Sequence, residues 1–327
     1  MFGHSFAKAP RTAIDIVRDR LEQGPPTGLR LGSPQTAGRL TLVPVFHDGP
    51  ALEYVTFANA QKDGTAEITE VGWLGAVSTL AVKTSSKVPV LMIDGEILVG
   101  LKQNRVLNTT ILVPAKTTLK VPVACVEAGR WRHATSQASR ADYALSPKIR
   151  AMKRHSVTLS ARAFGTFAAD QRVVWDEVAG SLGDLGVDSE TLAYSDIEKQ
   201  RRPEIEDRLS QLQPEPGQSG VVALVGGEPV AFDLFDQPST LARLWQALIG
   251  SFVAESLVPK ASNEPVHMEA VTQWIRGAAA GQATSHRAVG LGESVSITGA
   301  KHDTSALVVD GVAVHIATGP AHSRMRI

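Results

Sequence analysis

Apolar positions along the chain fall into two spacings. Period-two or continuous apolar runs of strand length occur at Arg39–Phe46, Ala66–Val71, Ala76–Val82, Val88–Ile93, Val106–Val113 and Leu119–Val126. In the last of these, Leu119, Val121, Val123 and Cys125 share one face. Ser294–Thr298, Ala306–Val309 and Val312–Ala317 form a similar meander near the C-terminus. Asp94-Gly95, Gly226-Gly227 and Asp310-Gly311 each separate two such runs. Glycine tolerates the positive φ of two-residue hairpin loops, so each pair predicts the tip of an antiparallel hairpin.

Helical spacing marks other segments. Residues 10–23 carry Ile14, Ile16, Val17 and Leu21, and Tyr54–Lys62 offers one or two turns before Gly64. Val174, Val178 and Leu182 predict a helix over Thr166–Leu182, and Pro203 suits the first position of another over Pro203–Leu212. Leu241, Leu244, Trp245, Leu248 and Phe252 make a core-facing stripe over Ser239–Glu255, and Val266–Ala278 repeats the pattern. Residues 132–160 are basic and polar (Arg132, Arg140, Lys148, Arg150, Lys153, Arg154) with almost no large apolar run, and read as a long loop.

The fold class that follows is α+β. A mainly antiparallel β-sheet module, bent or jelly-roll-like, precedes a helical middle segment and a C-terminal α+β part with hairpins. The expected divisions are an N-terminal helix and linker (1–34), a β-rich module carrying the candidate site (35–135), a loop and helical segment (136–216) and an α+β module (217–327). The last either packs with the first module as one domain or stands apart.

Composition narrows the function. The 327 residues carry 33 basic and 33 acidic side chains, a balance that argues against a protein built to coat nucleic acid or an anionic membrane. One cysteine, Cys125, leaves no disulfide framework and no thiolate zinc site, and its place on an apolar strand face predicts a buried, unreactive thiol. The nine histidines are scattered without H-x-H, H-x-x-x-H or H-E-x-x-H spacing, so no metal and no cofactor is expected. The start lacks the apolar core of a secretory signal and no apolar run approaches the ~20 residues of a membrane span, so a cytoplasmic protein is expected.

Polar groups able to grip a ligand gather between Val88 and Arg132. Lys102-Gln103-Asn104-Arg105, with Asn108 behind, places forked donors at a strand junction, where they suit phosphate, carboxylate or ribose oxygens. Glu127 with Arg130 and Trp131 forms a second corner. Either a Glu–Arg pair pins it with Trp131 packed beneath, or Glu127 is a general base and Trp131 a stacking platform. The ligand-binding candidates are therefore Gln103, Asn104, Arg105, Asn108, Arg130 and Trp131; the catalytic candidates are Glu96, Glu127 and Arg105. No phosphate loop, G-x-S-x-G elbow or G-x-G-x-x-G fingerprint occurs.

The runs MIDGEILVGLKQNRVLNTTILVPA, CVEAGRW and VVALVGGEPVAFDLFD resemble the ARG- and rhodanese-phosphatase-superfamily-associated protein domain family. The resemblance extends from about Leu40 to the final hairpin. The positions that match are Gly95, Glu96, Gly100, Gln103, Asn104, Arg105, Asn108, Cys125, Glu127, Gly129, Arg130 and Trp131. What it implies is association with ADP-ribosylglycohydrolases and rhodanese-like phosphatases, and hence ADP-ribose or phosphoester metabolism, without a catalytic assignment. Two readings follow. One is an accessory module binding a small anionic or nucleotide-derived ligand, with no nucleic-acid or membrane partner. The other is a metal-independent hydrolase or transferase using Glu96 or Glu127 with Arg105.

Overall fold

In the computed structural model, residues 11–23, 28–72, 77–130, 132, 134–259 and 264–321 are described. The strand expected from Ala76 therefore begins, as described, within Thr79–Thr84, and Trp131 lies outside the described residues. In chain order the elements are α1 (Ala13–Glu22), β1 (Arg30–Leu31), β2 (Gln35–Ala37), β3 (Leu40–Phe46), β4 (Val55–Thr56), α2 (Phe57–Lys62), β5 (Ala66–Glu70) and β6 (Thr79–Thr84). Next come β7 (Val90–Met92), β8 (Glu96–Gly100), β9 (Arg105–Leu107), β10 (Ile111–Val113), β11 (Thr118–Cys125), β12 (Ala138–Ala144), α3 (Pro147–Phe164), α4 (Gln171–Asp184) and α5 (Tyr194–Leu209). The chain finishes with β13 (Gly220–Val225), β14 (Glu228–Phe235), α6 (Pro238–Ser256), α7 (Met268–Gly277), β15 (Gln282–Arg287), β16 (Glu293–Thr298), β17 (His302–Val309) and β18 (Val312–Pro320). The class is α+β, as the spacings predict.

One nine-stranded sheet runs β1–β3–β13–β14–β18–β17–β16–β15, with β2 also on β3. Strand β3, from the first part of the chain, pairs with β13 from Leu40 opposite Val225 to Val45 opposite Gly220. Its residues are buried throughout because both faces of the sheet are covered. Leu40 and Leu42 pack with Leu241, Leu244 and Trp245 of α6, while Val43 and Val45 pack with Val17 and Leu21 of α1 and Val271 and Ile275 of α7. The period-two spacing thus feeds two separate cores.

A six-stranded antiparallel sheet, β12–β8–β9–β11–β6–β5, curls around Ile68, Leu80, Val82, Leu98, Leu107, Val121 and Val123. Its two edges are drawn together by side-chain amides. Gln61 of α2 donates to the Ala138 carbonyl (2.8 Å) and accepts from the Arg140 N–H (2.9 Å), extending the ladder of β12. Gln137 donates to Glu67 on β5 (2.7 Å). The third sheet, β10–β7–β4, includes the parallel pair β4–β7.

The hairpins at Gly226-Gly227 (φ +61° and +88°) and Asp310-Gly311 (φ +48° and +79°) form as expected, with both central residues left-handed. Asp94-Gly95 does not make a hairpin. β7 pairs with β10 and β4, whereas β8 pairs with β9 and β12, so the turn carries the chain from one sheet to another. Gly95 (φ +88°) still supplies the positive φ, and the Glu96 N–H closes the turn onto the Ile93 carbonyl (3.2 Å). Similarly, Val106–Val113 is not one strand: it breaks at residues 108–110, with β9 and β10 in different sheets.

Two further expectations are corrected. Residues 132–160 contain β12 and most of α3 rather than a long loop. α3 has Pro147 at its start and Gly165 (φ +65°) at its end, and it buries Arg150, Lys153 and Arg154 against the carboxylates of the Asp94 turn and of Asp233 on β14. Pro203 lies inside α5 instead of opening it. Proline removes one hydrogen bond to the carbonyl four residues back, at Lys199, which is exposed and can be solvated.

Candidate functional site

The polar corner predicted between Gln103 and Arg130 assembles, and its groups bond chiefly to one another. The junction before β9 and the turn after β11 meet because Cys125 pairs with Arg105 in the ladder. Arg130 grips Glu127 through Nε (2.9 Å to Oε1) and Nη2 (2.7 Å to Oε2). The Asn104 N–H (3.1 Å) and the Thr191 hydroxyl (3.3 Å) also donate to the Glu127 carboxylate. Arg130 reaches the Leu101 carbonyl (2.9 Å) and the Asn104 side-chain oxygen (3.2 Å). Gln103 donates to the Glu127 carbonyl (2.9 Å) and accepts from Arg105 Nη1 (3.0 Å). Arg105 and Gln103 are buried, and Asn104 and Arg130 are partly so. Asn108, at the break after β9, is turned away to the Phe167 carbonyl (2.9 Å). Every polar atom of the Glu127 carboxylate is spoken for, which is the geometry of a pinned corner.

Glu96 sits elsewhere. On β8 just past the Asp94-Gly95 turn, its carboxylate accepts from the Ile93 N–H (2.9 Å) and from Arg140 Nε on β12 (2.7 Å). Glu96 is buried, while the Arg140 side chain keeps 12% exposure. The terminal nitrogens of Arg140 make no hydrogen bond to the described residues. Arg140 lines a groove of about 480 Å³ between α2 and β12, together with Gln61, Lys62, Gln137, Ser139 and Asp142. A guanidinium fixed through Nε by a buried carboxylate keeps its fork for a second anion.

The densest set of charges lies beneath the Asp94 turn. α3 presents Arg150, Lys153 and Arg154 along one face. Lys153 contacts Asp94 and donates to the Leu107 and Asn108 carbonyls (2.9 Å each) at the break between β9 and β10, where the Leu107 carbonyl also accepts the Gly95 N–H (3.3 Å). Arg154 reaches Asp94 (3.1 Å), and Arg150 grips Asp233 of β14 with both terminal nitrogens (2.8 and 3.1 Å). His315 of β18 bonds Asp233 through Nε2 (3.0 Å) and the Thr110 hydroxyl through Nδ1 (2.7 Å); Thr110 in turn accepts the Asp94 N–H (3.1 Å). The neutral tautomer with its proton on Nε2 satisfies every link in this chain.

Burial by itself would push the Asp94 carboxyl up, but the Lys153, Arg154 and Arg150 charges outweigh it and hold it at about 2. Asp233 is likewise held down by Arg150 and His315 against the cost of burial. Burial lowers Lys153, and Asp94 offsets only part of that. This network ties the three sheets together through one helix. It has no opening to solvent at its charged groups, each of which is buried.

A family model described as the ARG and Rhodanese-Phosphatase-superfamily-associated Protein domain matches residues 28–318, nearly the whole chain. The chain belongs to this family. The match takes in both candidate corners, the Glu96–Arg140 groove and the α3 network. No curated protein and no solved structure matches the chain. The family's description records association with two other groups of proteins.

Cys125 is fully buried, and burial pushes its thiol up despite the nearby Arg105 charge, so little thiolate forms near neutral pH. Among the described residues no group of three or more His, Cys, Asp or Glu side chains is arranged to hold a metal. No helix of the described residues is long and apolar enough to cross a membrane. Arg140 carries no site signal in the sequence because it stands in the basic stretch that reads as a loop. The buried positions of β12, Ala138, Ala141 and Ala144, recur every third residue across an irregular register, so the period-two signal of a strand is missing there.

Proposed function

We propose that this protein is an accessory module that binds a small anionic ligand in the groove between α2 and β12, with Arg140 as its anchor. The observation that carries this reading is the Arg140 fork, held by buried Glu96 while its terminal nitrogens remain unspent at a polar groove. Lys62 adds a second cation, and Gln61, Gln137 and Ser139 add hydrogen-bonding groups suited to ribose or phosphate oxygens. The family's association with ADP-ribosylglycohydrolases and rhodanese-like phosphatases makes ADP-ribose and related phosphoesters the first ligands to try.

In this reading the Gln103–Arg130 corner stiffens the end of β8 rather than meeting the ligand, because its donors are used internally. Calorimetric titration of the native chain and of Arg140→Ala with ADP-ribose, AMP and inorganic phosphate tests the proposal. Native affinity for at least one of these, abolished in Arg140→Ala, is the expected result. Equal affinity in both chains, or none in the native chain, contradicts it.

A further inference from the structure

Glu198 is a buried acid that the proposed anion site does not use. It lies on α5, only 5% exposed, and its Oε1 makes no hydrogen bond to the described residues. It lines a small cleft of about 20 Å³, room for a single water, where α5, α6 and β12 meet. The groups around it come from all three elements. Arg202 and Glu206 belong to α5, Asp142 and Tyr143 to β12, and Gln246 to α6. Glu255 of α6 acts on Tyr194, the buried phenol one turn before Glu198.

Among the described residues, the one cation that acts on Glu198 is engaged elsewhere. Arg202 Nη1 lies 3.1 Å from Asp142 and 3.6 Å from Glu206, both well exposed. A buried carboxylate with no donor on one oxygen is strongly disfavoured against the neutral acid. Burial accordingly pushes Glu198 up to about 8, with Arg202 opposing and Asp142 reinforcing the shift.

We propose that Glu198 is a proton-gated latch: protonated, it lets α5 pack against β12 and α6, and its ionisation loosens that seam. The sign follows from linkage. The folded chain holds the proton more tightly than the open one, so the seam is most stable below the ordinary carboxyl range and weakens as pH rises towards 8. With an ordinary value of 4.5 in the open state, the equilibrium for opening rises about 30-fold between about pH 6.5 and about pH 9.

Hydrogen exchange of the full chain, native and Glu198→Gln, at those two pH values reads this directly after correction for intrinsic exchange rates. Gln keeps the shape and stays neutral. Peptides from α5 and β12 are expected to lose about 30-fold more protection with rising pH in the native chain than in Glu198→Gln. Should the amide fail to fold, Glu198→Leu gives the same comparison. An identical pH response in native and variant chains overturns the latch. No ligand enters the measurement, so its outcome is independent of the anion reading.

Discussion

Lys153→Met tests whether the buried network is a structural keystone. The substitution keeps most of the stem's volume and deletes one ammonium. That ammonium contacts Asp94 and two backbone carbonyls, Leu107 and Asn108, and is fully buried. The Asn108 carbonyl left without a donor costs roughly 1–3 kcal/mol, whereas the Leu107 carbonyl keeps the Gly95 N–H (3.3 Å). Breaking a buried ion pair costs roughly 3–5 kcal/mol when the partner is stranded. Asp94 is not wholly stranded, because Arg154 remains at 3.1 Å, so the terms overlap and the total should come to ~3–6 kcal/mol. That is a large part of the ~5–15 kcal/mol that holds a typical domain. Urea denaturation followed by circular dichroism measures it. Lys148→Met, on the same helix with a partly exposed partner in Glu177, provides the control and should cost less than ~1 kcal/mol. A loss below ~1 kcal/mol for Lys153→Met would refute the reasoning, since a fully desolvated ammonium cannot be that dispensable.

Further outcomes follow from the same geometry. Gly95→Ala should destabilise the chain by at least ~1 kcal/mol in denaturant melts, because φ is +88° and the new Cβ would stand 2.7 Å from Arg150 Cδ. Arg105→Lys and Arg105→Ala should lower the melting temperature while leaving ligand affinity unchanged; an affinity loss at native-like stability would move the ligand to the corner. The Asp94 contribution, held at about 2 against an ordinary value of 3.8, should be present above the ordinary value and vanish as pH falls towards 2, visible as acid unfolding that Asp94→Asn flattens. Cys125 should react with a thiol reagent only as the chain unfolds, so rapid labelling of the native protein would contradict its burial.

Local turn chemistry and spacing revealed much of the fold. The Gly226-Gly227 and Asp310-Gly311 hairpins, the α6 stripe and the alternation of β11 all formed where their residues predicted. Two of the misreadings, at the Asp94-Gly95 turn and over α3, share one cause. Asp94-Gly95 has the residues of a hairpin turn, yet Asp94 is claimed by three cations of α3, and the flanking strands go to different sheets. α3 was illegible because its buried face is built from Arg150, Lys153 and Arg154, which only carboxylates more than fifty residues away make tolerable. The helix signals were present in Pro147 and Gly165, but a basic run gave them no apolar stripe to frame. The candidate site divided in the same way. The Glu127–Arg130 pair could be read from its spacing of three, whereas the bond from Glu96 to Arg140 spans 44 residues and depends on how β8 and β12 pair.

The anchoring role of Arg140 is tested most directly by titrating ADP-ribose calorimetrically into the native chain and into Arg140→Lys. Lysine keeps the charge but loses both the fork and the Nε bond to Glu96. The account predicts that, at a temperature where both chains are folded, affinity weakens by about 1–3 kcal/mol, roughly fivefold to 150-fold. Undiminished affinity in Arg140→Lys, at native stability, would show that the groove between α2 and β12 is not where the anion binds.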